Sequence, residues 1–308
     1  MVMKKISIVV PCFNEEGNIV PFYKEVLKVL NKIKNTAYEI IFVDDGSMDK
    51  TYQTILNINK KDKNVKCISF SKNFGKEAAL FAGLKYSTGN VVITMDSDLQ
   101  HPPKYIIDMY KLWKDGYQVV KGIKKNRLKE GVLNILFSKL YNRIFKVMSN
   151  ENINNSSDFN LLDRKVVDSL NLIDESNMFY RGITYWIGFK SIEYYFDVED
   201  RASNKTKWSF KKKIKYGAKN ILSFTYKPLY LIFILGIIMF LLEIGLGIDT
   251  IISYFKGNSP SGYTTIIMFL ILLSSFIFIR LGILGLYISQ IYEEVKRRPR
   301  YIIRDVIK

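Results

Sequence analysis

The chain has 308 residues, with 46 Lys+Arg against 29 Asp+Glu and a formal net charge of +17. That length holds one substantial domain and something smaller, and the basic excess calls for an anionic partner: nucleic acid, anionic lipid or a phosphorylated substrate. The only cysteines, Cys12 and Cys67, lack metal-binding spacing and read as ordinary buried thiols.

In chain order, 6–10, 39–43, 65–70, 91–95 and 118–122 are short apolar strand candidates. Helical patterns lie between them at 19–34, 50–60, 76–86 and 103–115. Strand and helix in strict alternation predict an α/β domain with a mostly parallel sheet covered on both faces. Such sheets hold ligands along the carboxyl edge of their strands. Lys4 and Lys5 precede an apolar run that Pro11 cuts short, which is not the pattern of a signal peptide. No GxGxxG and no GxxxxGK[ST] is present, so neither a dinucleotide fold nor a P-loop is indicated.

The predicted strand ends deliver polar residues to that edge. Pro11, Asn14, Glu15 and Glu16 follow the first strand, Asp44, Asp45 and Ser47 the second, and Ser71 to Glu77 the third. The fourth ends in VVITMDSDLQHPP, where alternation puts Asp96 and Asp98 on one side of an extended segment. Such a pair suits a hard cation, although Asp98 could also cap the helix that follows. His101, the single histidine, either joins this site or caps the next turn, and receives no catalytic role.

The C-terminal third carries two apolar stretches, 229–252 and 264–291, each long enough to span a bilayer as a helix. Lysines crowd the approach to the first, and Lys296, Arg297, Arg298, Arg300, Arg304 and Lys308 follow the second. The loop between them carries only Lys256, so the positive-inside rule puts both termini in the cytoplasm of a multi-pass cell-membrane protein. Two amphipathic patterns, 132–144 and 210–226, either lie in the interface with lysines toward anionic headgroups or pack on the sheet domain; the second abuts Pro228 and favours the membrane. Lipid, not nucleic acid, is therefore the expected anionic partner. Glu243 and Arg280 fall at similar depth in the two spans and are expected to face each other.

Taken together, PCFNEEGNI, FVDDGSMDKT, NFGKEAALFAGL and MDSDLQHPP resemble the successive motifs of family-two glycosyltransferases. SSDFNLLDRKVVD, MFYRGITYWIGFK, DRASNKTKWSF and GILGLYISQIYEEVKRRPRY extend the resemblance to the polyprenyl-phosphate branch, which includes dolichol-phosphate mannose synthase and bacterial undecaprenyl-phosphate glucosyltransferases. The resemblance implies a GT-A fold, a UDP- or GDP-linked hexose donor, Mg²⁺ or Mn²⁺, and a lipid phosphate acceptor. It implies that Asp44 and Asp45 contact base and ribose beside Pro11, Asn14 and Glu16, and that Lys76 and Gln100 line the donor pocket. By the same resemblance Asp96 and Asp98 hold the metal and Asp158 is the catalytic carboxylate, or else orients the acceptor. Arg127, Arg201 and Lys207 then meet the acceptor phosphate, Arg201 and Lys207 sharing in catalysis. Asn160 departs from the arginine usual at its position, as do Asn204, Thr206 and Leu286 from their usual residues.

The expected layout is a GT-A domain over 1–207, an interfacial helix over 208–227, two transmembrane helices over 228–292 and a basic cytoplasmic tail over 293–308. The expected reaction is inverting transfer of a hexose, UDP-glucose being the leading donor, to undecaprenyl phosphate for cell-envelope glycosylation. A processive polysaccharide synthase is the rival enzyme, but QxxRW is missing and two spans are too few for a pore. A non-catalytic nucleotide-binding scaffold is the rival of another class. Association of copies in the bilayer would give a two-helix anchor more to pack against.

Overall fold

A computed structural model describes residues 3–125, 143, 156–175, 179–198 and 262–307, with isolated positions between 234 and 256. The chain divides into two units, Met1–Lys213 with Pro299–Lys308, and Ile214–Arg298.

The first unit is built on a sheet of β1 (Lys4–Cys12), β2 (Thr36–Asp44), β3 (Val65–Phe70), β4 (Val91–Thr94), β5 (Val119–Lys124), β6 (Ser156–Asp163), β7 (Ser191–Phe196) and β8 (Ile303–Ile307). The strand order is β7-β5-β6-β4-β1-β2-β3-β8. β1 pairs in parallel with β2 and β4, β2 with β3, and β5 with β7, whereas β6 runs antiparallel to β4 and β5, and β8 to β3. Helices α1 (Glu16–Leu30), α2 (Thr51–Asn59), α3 (Lys76–Tyr86), α4 (Ile106–Lys114), α5 (Arg164–Asn171) and α6 (Tyr180–Trp186) connect or follow the strands. The alternation read from the sequence is therefore present through β5. Its fourth helix opens as a tight 3₁₀ turn over Pro103–Tyr105, where Pro103 supplies a fixed φ and needs no donor.

The strands are apolar on both faces because both are covered: Ile8, Val9, Val10, Ile40, Ile41, Phe42 and Val43 are fully buried. Gly83 lets α3 lie close on the sheet, since an added Cβ would come within 2.2 Å of Val9 Cγ1. With β2 on one side of β1 and β4 on the other, the strand order reverses at β1, and ligand crevices form at such switch points.

The last strand changes the expected layout. Within the basic tail expected over 293–308, Ile303–Ile307 extends the sheet beside β3. Its half-buried and exposed residues alternate, as suits an edge strand with one face to solvent.

Within the second unit, α7 (Tyr263–Val295) is, among the described residues, the one helix long and apolar enough to cross a membrane. Its apolar side chains are exposed, Ile279 and Ile288 by 60% and 64%, which a buried core helix would not show. The span at 229–252, including Glu243, and both amphipathic patterns lie largely or wholly outside the described residues.

Candidate active site

The site begins with a register. β4 and β6 pair antiparallel, the last pair being Thr94 opposite Asn160. Asp96 follows Thr94 by two residues and Asp158 precedes Asn160 by two, so both carboxylates lie at the end of this ladder. Thr94 Oγ1 donates to the Asp158 carbonyl at 2.5 Å and meets the Tyr180 hydroxyl at 2.8 Å, which ties α6 to the same place.

Lys76, the first residue of α3, lies between the two carboxylates. Its ammonium is 2.7 Å from Asp96 Oδ1 and 2.5 Å from Asp158 Oδ2. Burial alone would lower the Lys76 pKa, but Asp158 and then Asp96 more than offset it and hold the ammonium charged. Arg181 closes the other side of Asp158, with Nε 2.7 Å from Oδ1 and Nη2 3.1 Å from Oδ2, a bidentate clasp. Burial works to raise Asp158, yet Arg181 and Lys76 hold it well below the ordinary carboxylate range. Burial lowers the pKa of Lys124, which also feels the charge of Arg181.

The turn after β4 is strained. Leu99 sits at φ 60°, uncommon for a bulky side chain. Asp98 Oδ1 accepts from the Gln100 N–H at 3.1 Å, closing a turn that leaves Gln100 half-buried beside the aspartates. His101 belongs to the core. It is buried, its ring lies 5.4 Å from Phe159 in a stacked pair, and desolvation lowers its pKa to about 4, so it is neutral.

The loops after β1 and β2 are laced together. Asn14, at φ 53°, donates its N–H to Ser47 Oγ at 2.9 Å and accepts from the Met48 N–H at 2.9 Å. Glu15 N donates to Thr51 Oγ1, and Glu16 accepts from the Lys50 N–H at 3.0 Å. Pro11 is buried in β1 opposite Val43. Asp44, fully buried, accepts from the Ser47 N–H at 3.0 Å and the Ser69 hydroxyl at 2.8 Å. Asp45 accepts from the N–H groups of Phe74 and Gly75 at 2.6 and 2.9 Å; desolvation pushes it up to about 6 against those donors. Both aspartates thus fix loops in this structure, where the resemblance implied contact with base and ribose. Gly46 adopts φ 70° and an added Cβ would lie 2.4 Å from the Lys72 carbonyl carbon, so only glycine fits between these loops.

A family profile described as "Glycosyl transferase family 2" matches residues 7–170, more than half of the chain, including Lys76, Asp96 and Asp158. The chain belongs to glycosyl transferase family 2. The curated relatives of this family-2 enzyme include a bactoprenol glucosyl transferase of Shigella phage SfX, 37% identical over 98% of this chain and 99% of its own. A prophage bactoprenol glucosyl transferase homologue of Escherichia coli K12 is 36% identical over 99% and 100%, and an uncharacterised glycosyltransferase of Synechocystis is 35% identical over 98% and 95%. Among solved structures, a mannosyltransferase from Pyrobaculum calidifontis with GDP-mannose and Mn²⁺ superposes with a TM-score of 0.50 at 15% identity, over 72% of this chain and 64% of that one. Glucosyl-3-phosphoglycerate synthase from Mycobacterium tuberculosis with Mn²⁺, UDP-glucose and phosphoglyceric acid does so with 0.50 at 17%, over 71% and 78%. These two likenesses establish the GT-A fold.

The residues expected at the site of this glycosyltransferase fall into two groups. Asp96, Lys76 and Asp158 meet directly, and Asp98 and Gln100 lie in the adjoining turn; Pro11, Asn14, Glu16, Asp44 and Asp45 form the neighbouring loops. Arg127, Arg201 and Lys207 lie outside the described residues. Arg181 and Lys124 carry site charge that the sequence reading did not assign, although Arg181 stands in the MFYRGIT motif singled out there. No cluster of three or more metal-ligating side chains occurs among the described residues. The Asp96 and Asp98 pair nevertheless fits a hard cation that takes its remaining ligands from phosphate and water. Asp96 already attracts a cation, Lys76, at 2.7 Å.

Proposed function

We propose that this enzyme transfers glucose from UDP-glucose to undecaprenyl phosphate at the cytoplasmic face of the cell membrane, for use in glycosylating the cell envelope. The observation that carries the acceptor class is the near end-to-end match, through the apolar C-terminal region, to proteins named bactoprenol glucosyl transferases. In this reading both apolar stretches span the bilayer with both termini in the cytoplasm. The exposed apolar surface of α7 supports the second span.

Asp96 and Asp98 would hold Mg²⁺ or Mn²⁺, which as a Lewis acid stabilises the charge on the departing nucleoside diphosphate. Lys76 and Arg181 present fixed positive charge beside that position, with Lys124 behind them, so the site suits phosphate oxygens on both reactants. The acceptor oxygen bonds to the anomeric carbon on the face opposite the leaving group, and the electron pair of the broken bond leaves with UDP. No base is needed, because a phosphomonoester with a second pKa of about 6 is already mostly a dianion at neutral pH. Asp158, held ionised between Arg181 and Lys76, is a poor proton acceptor and acts by positioning both cations. Arg127, Arg201 and Lys207 are assigned to the acceptor phosphate, and Asn14, Glu16, Asp44 and Asp45 to the walls of the nucleoside pocket.

The test is a donor panel of UDP-glucose, UDP-GlcNAc and GDP-mannose, offered with undecaprenyl phosphate and Mg²⁺ or Mn²⁺ to the full-length protein in detergent. Glucosylated lipid from UDP-glucose is expected. Preferred turnover of GDP-mannose overturns the donor assignment. Efficient transfer to a soluble phosphorylated acid in place of the lipid overturns the acceptor assignment.

A further inference from the structure

The chain returns to the catalytic sheet after its long apolar helix. α7 ends at Val295, and β8 lies antiparallel to β3 with Ser69 opposite Asp305. The register shifts between Ser69 and Phe70, the kind of irregularity that re-aims side chains near functional sites. Tyr301 stacks on Phe70 with ring centroids 4.9 Å apart, and the Ser71 N–H donates to the Ile302 carbonyl at 2.9 Å. These contacts hold Arg304 against the end of β3 and the start of α2.

Arg304 makes three contacts there. Nε donates to Asp305 at 3.1 Å, the guanidinium lies 5.0 Å over the Tyr52 ring, and Nη2 donates to Ser69 Oγ at 2.8 Å. The Ser69 hydroxyl passes its own hydrogen to Asp44 Oδ2 at 2.8 Å. Asp44 Oδ1 accepts from the Ser47 N–H, and Ser47 Oγ accepts from the Asn14 N–H. One continuous chain of hydrogen bonds thus runs from the C-terminal strand to the two loops assigned above to the nucleoside. A buried carboxylate such as Asp44 is expensive to leave under-satisfied, and a hydroxyl polarised by a guanidinium is a stronger donor than one alone.

We propose that Arg304 is a positioning residue for the donor: through Ser69 it fixes Asp44, and through Asp44 the β2 loop that receives the nucleoside. This rests on the nucleotide reading of those loops given above. The C-terminal strand is accordingly part of the donor site and sets affinity for the nucleotide, while the charged groups Lys76, Asp158 and Arg181 lie on other elements.

The experiment measures binding of UDP with Mn²⁺, and of GDP with Mn²⁺, to the full-length protein in detergent by calorimetry, alongside donor KM, kcat and melting temperature. Arg304→Ala and Ser69→Ala should each weaken nucleotide binding about tenfold, the scale of one hydrogen bond to a charged group, with kcat at saturating donor unchanged. The double variant should bind no worse than Ser69→Ala alone, because both break one chain. Arg304→Lys should recover part of the loss. Ser69→Ala keeps the strand and the arginine, so it decides the matter even if Arg304→Ala unfolds. Binding of Ser69→Ala within twofold of wild type, or additive losses in the double variant, overturns the proposal alone. A wild-type protein that binds neither nucleotide overturns the nucleotide reading and the proposal with it.

Discussion

Asp158→Asn is the most informative single change in the site. The carboxylate is 5% exposed and carries Arg181 and Lys76 on its two oxygens. Removing one partner of a buried ion pair costs about 3–5 kcal/mol, because the charge left behind is uncompensated. The lysine and arginine side chains are 40% and 39% exposed, so solvent screens part of that loss. We therefore expect about 2–3 kcal/mol of destabilisation, a melting temperature lower by roughly 5–10 °C, and a strong fall in lipid glycosylation. Lys76 keeps Asp96 at 2.7 Å in that variant, so adding Lys76→Met to Asp158→Asn should lower the melting temperature further, by less than the sum of the two single losses, and should not recover turnover. Scanning calorimetry and product formation from labelled donor read both quantities. If Asp158→Asn melts within 1 °C of wild type, or if the losses from Asp158→Asn and Lys76→Met are fully additive, the positioning role fails.

Three further outcomes are expected. Glu39 is buried and bonded to Ser7, Lys5, Lys66 and Thr88; desolvation opposes its charge, but Lys66, Ser7 and Lys5 hold its pKa at about 2 against an ordinary 4.5. Its contribution, on the order of 3 kcal/mol, is present above pH 4.5 and lost as pH falls toward 2. Denaturant midpoints should therefore show Glu39→Gln weaker than wild type at pH 7, with the difference shrinking below pH 4.5; a pH-independent difference refutes this. Gly83→Ala presses a methyl to 2.2 Å from Val9 Cγ1 and should cost about 1–3 kcal/mol by thermal melting. Asp98→Asn keeps an oxygen to accept from the Gln100 N–H and should weaken Mn²⁺-dependent nucleotide binding strongly while leaving the melting temperature unchanged, and retained metal-dependent binding would refute its role as a ligand.

Much of this was legible in the residues, and the exceptions have physical reasons. β1 to β4 announce themselves as apolar runs because parallel strands are buried on both faces. β6 does not: Ser156, Ser157, Asp158 and Asn160 read as a polar motif, yet all four are buried, Ser157 bonding to the Gly122 carbonyl and Asn160 accepting from the Gly122 N–H. β7 and β8 alternate half-buried and exposed residues at the sheet edges, and in β8 the charges of Arg304 and Asp305 look like a tail. Carboxylates at strand ends were legible, since few core roles suit them. Their division of labour was not: whether Asp44 touches ligand or backbone depends on Ser69 and Arg304, and no local pattern joins three such distant residues.

The pairing of β3 with β8 also governs the order in which the molecule is made. Cys67 lies opposite Ile307, 307 − 67 = 240 residues later, and the long apolar helix is synthesised in between. At about 5–20 residues per second, β3 waits roughly 12–50 s as an open edge until the ribosome reaches the end of β8. An unpaired edge is a template for wrong partners, so the catalytic sheet is most exposed to misassembly during the interval in which the apolar helix is emerging. Ribosome-stalled chains ending at residue 298 should be cut by protease near β3, where the released full-length protein is protected. The apolar helix is a detour within the sheet domain's own folding, and residues translated after it are the ones that seal the sheet.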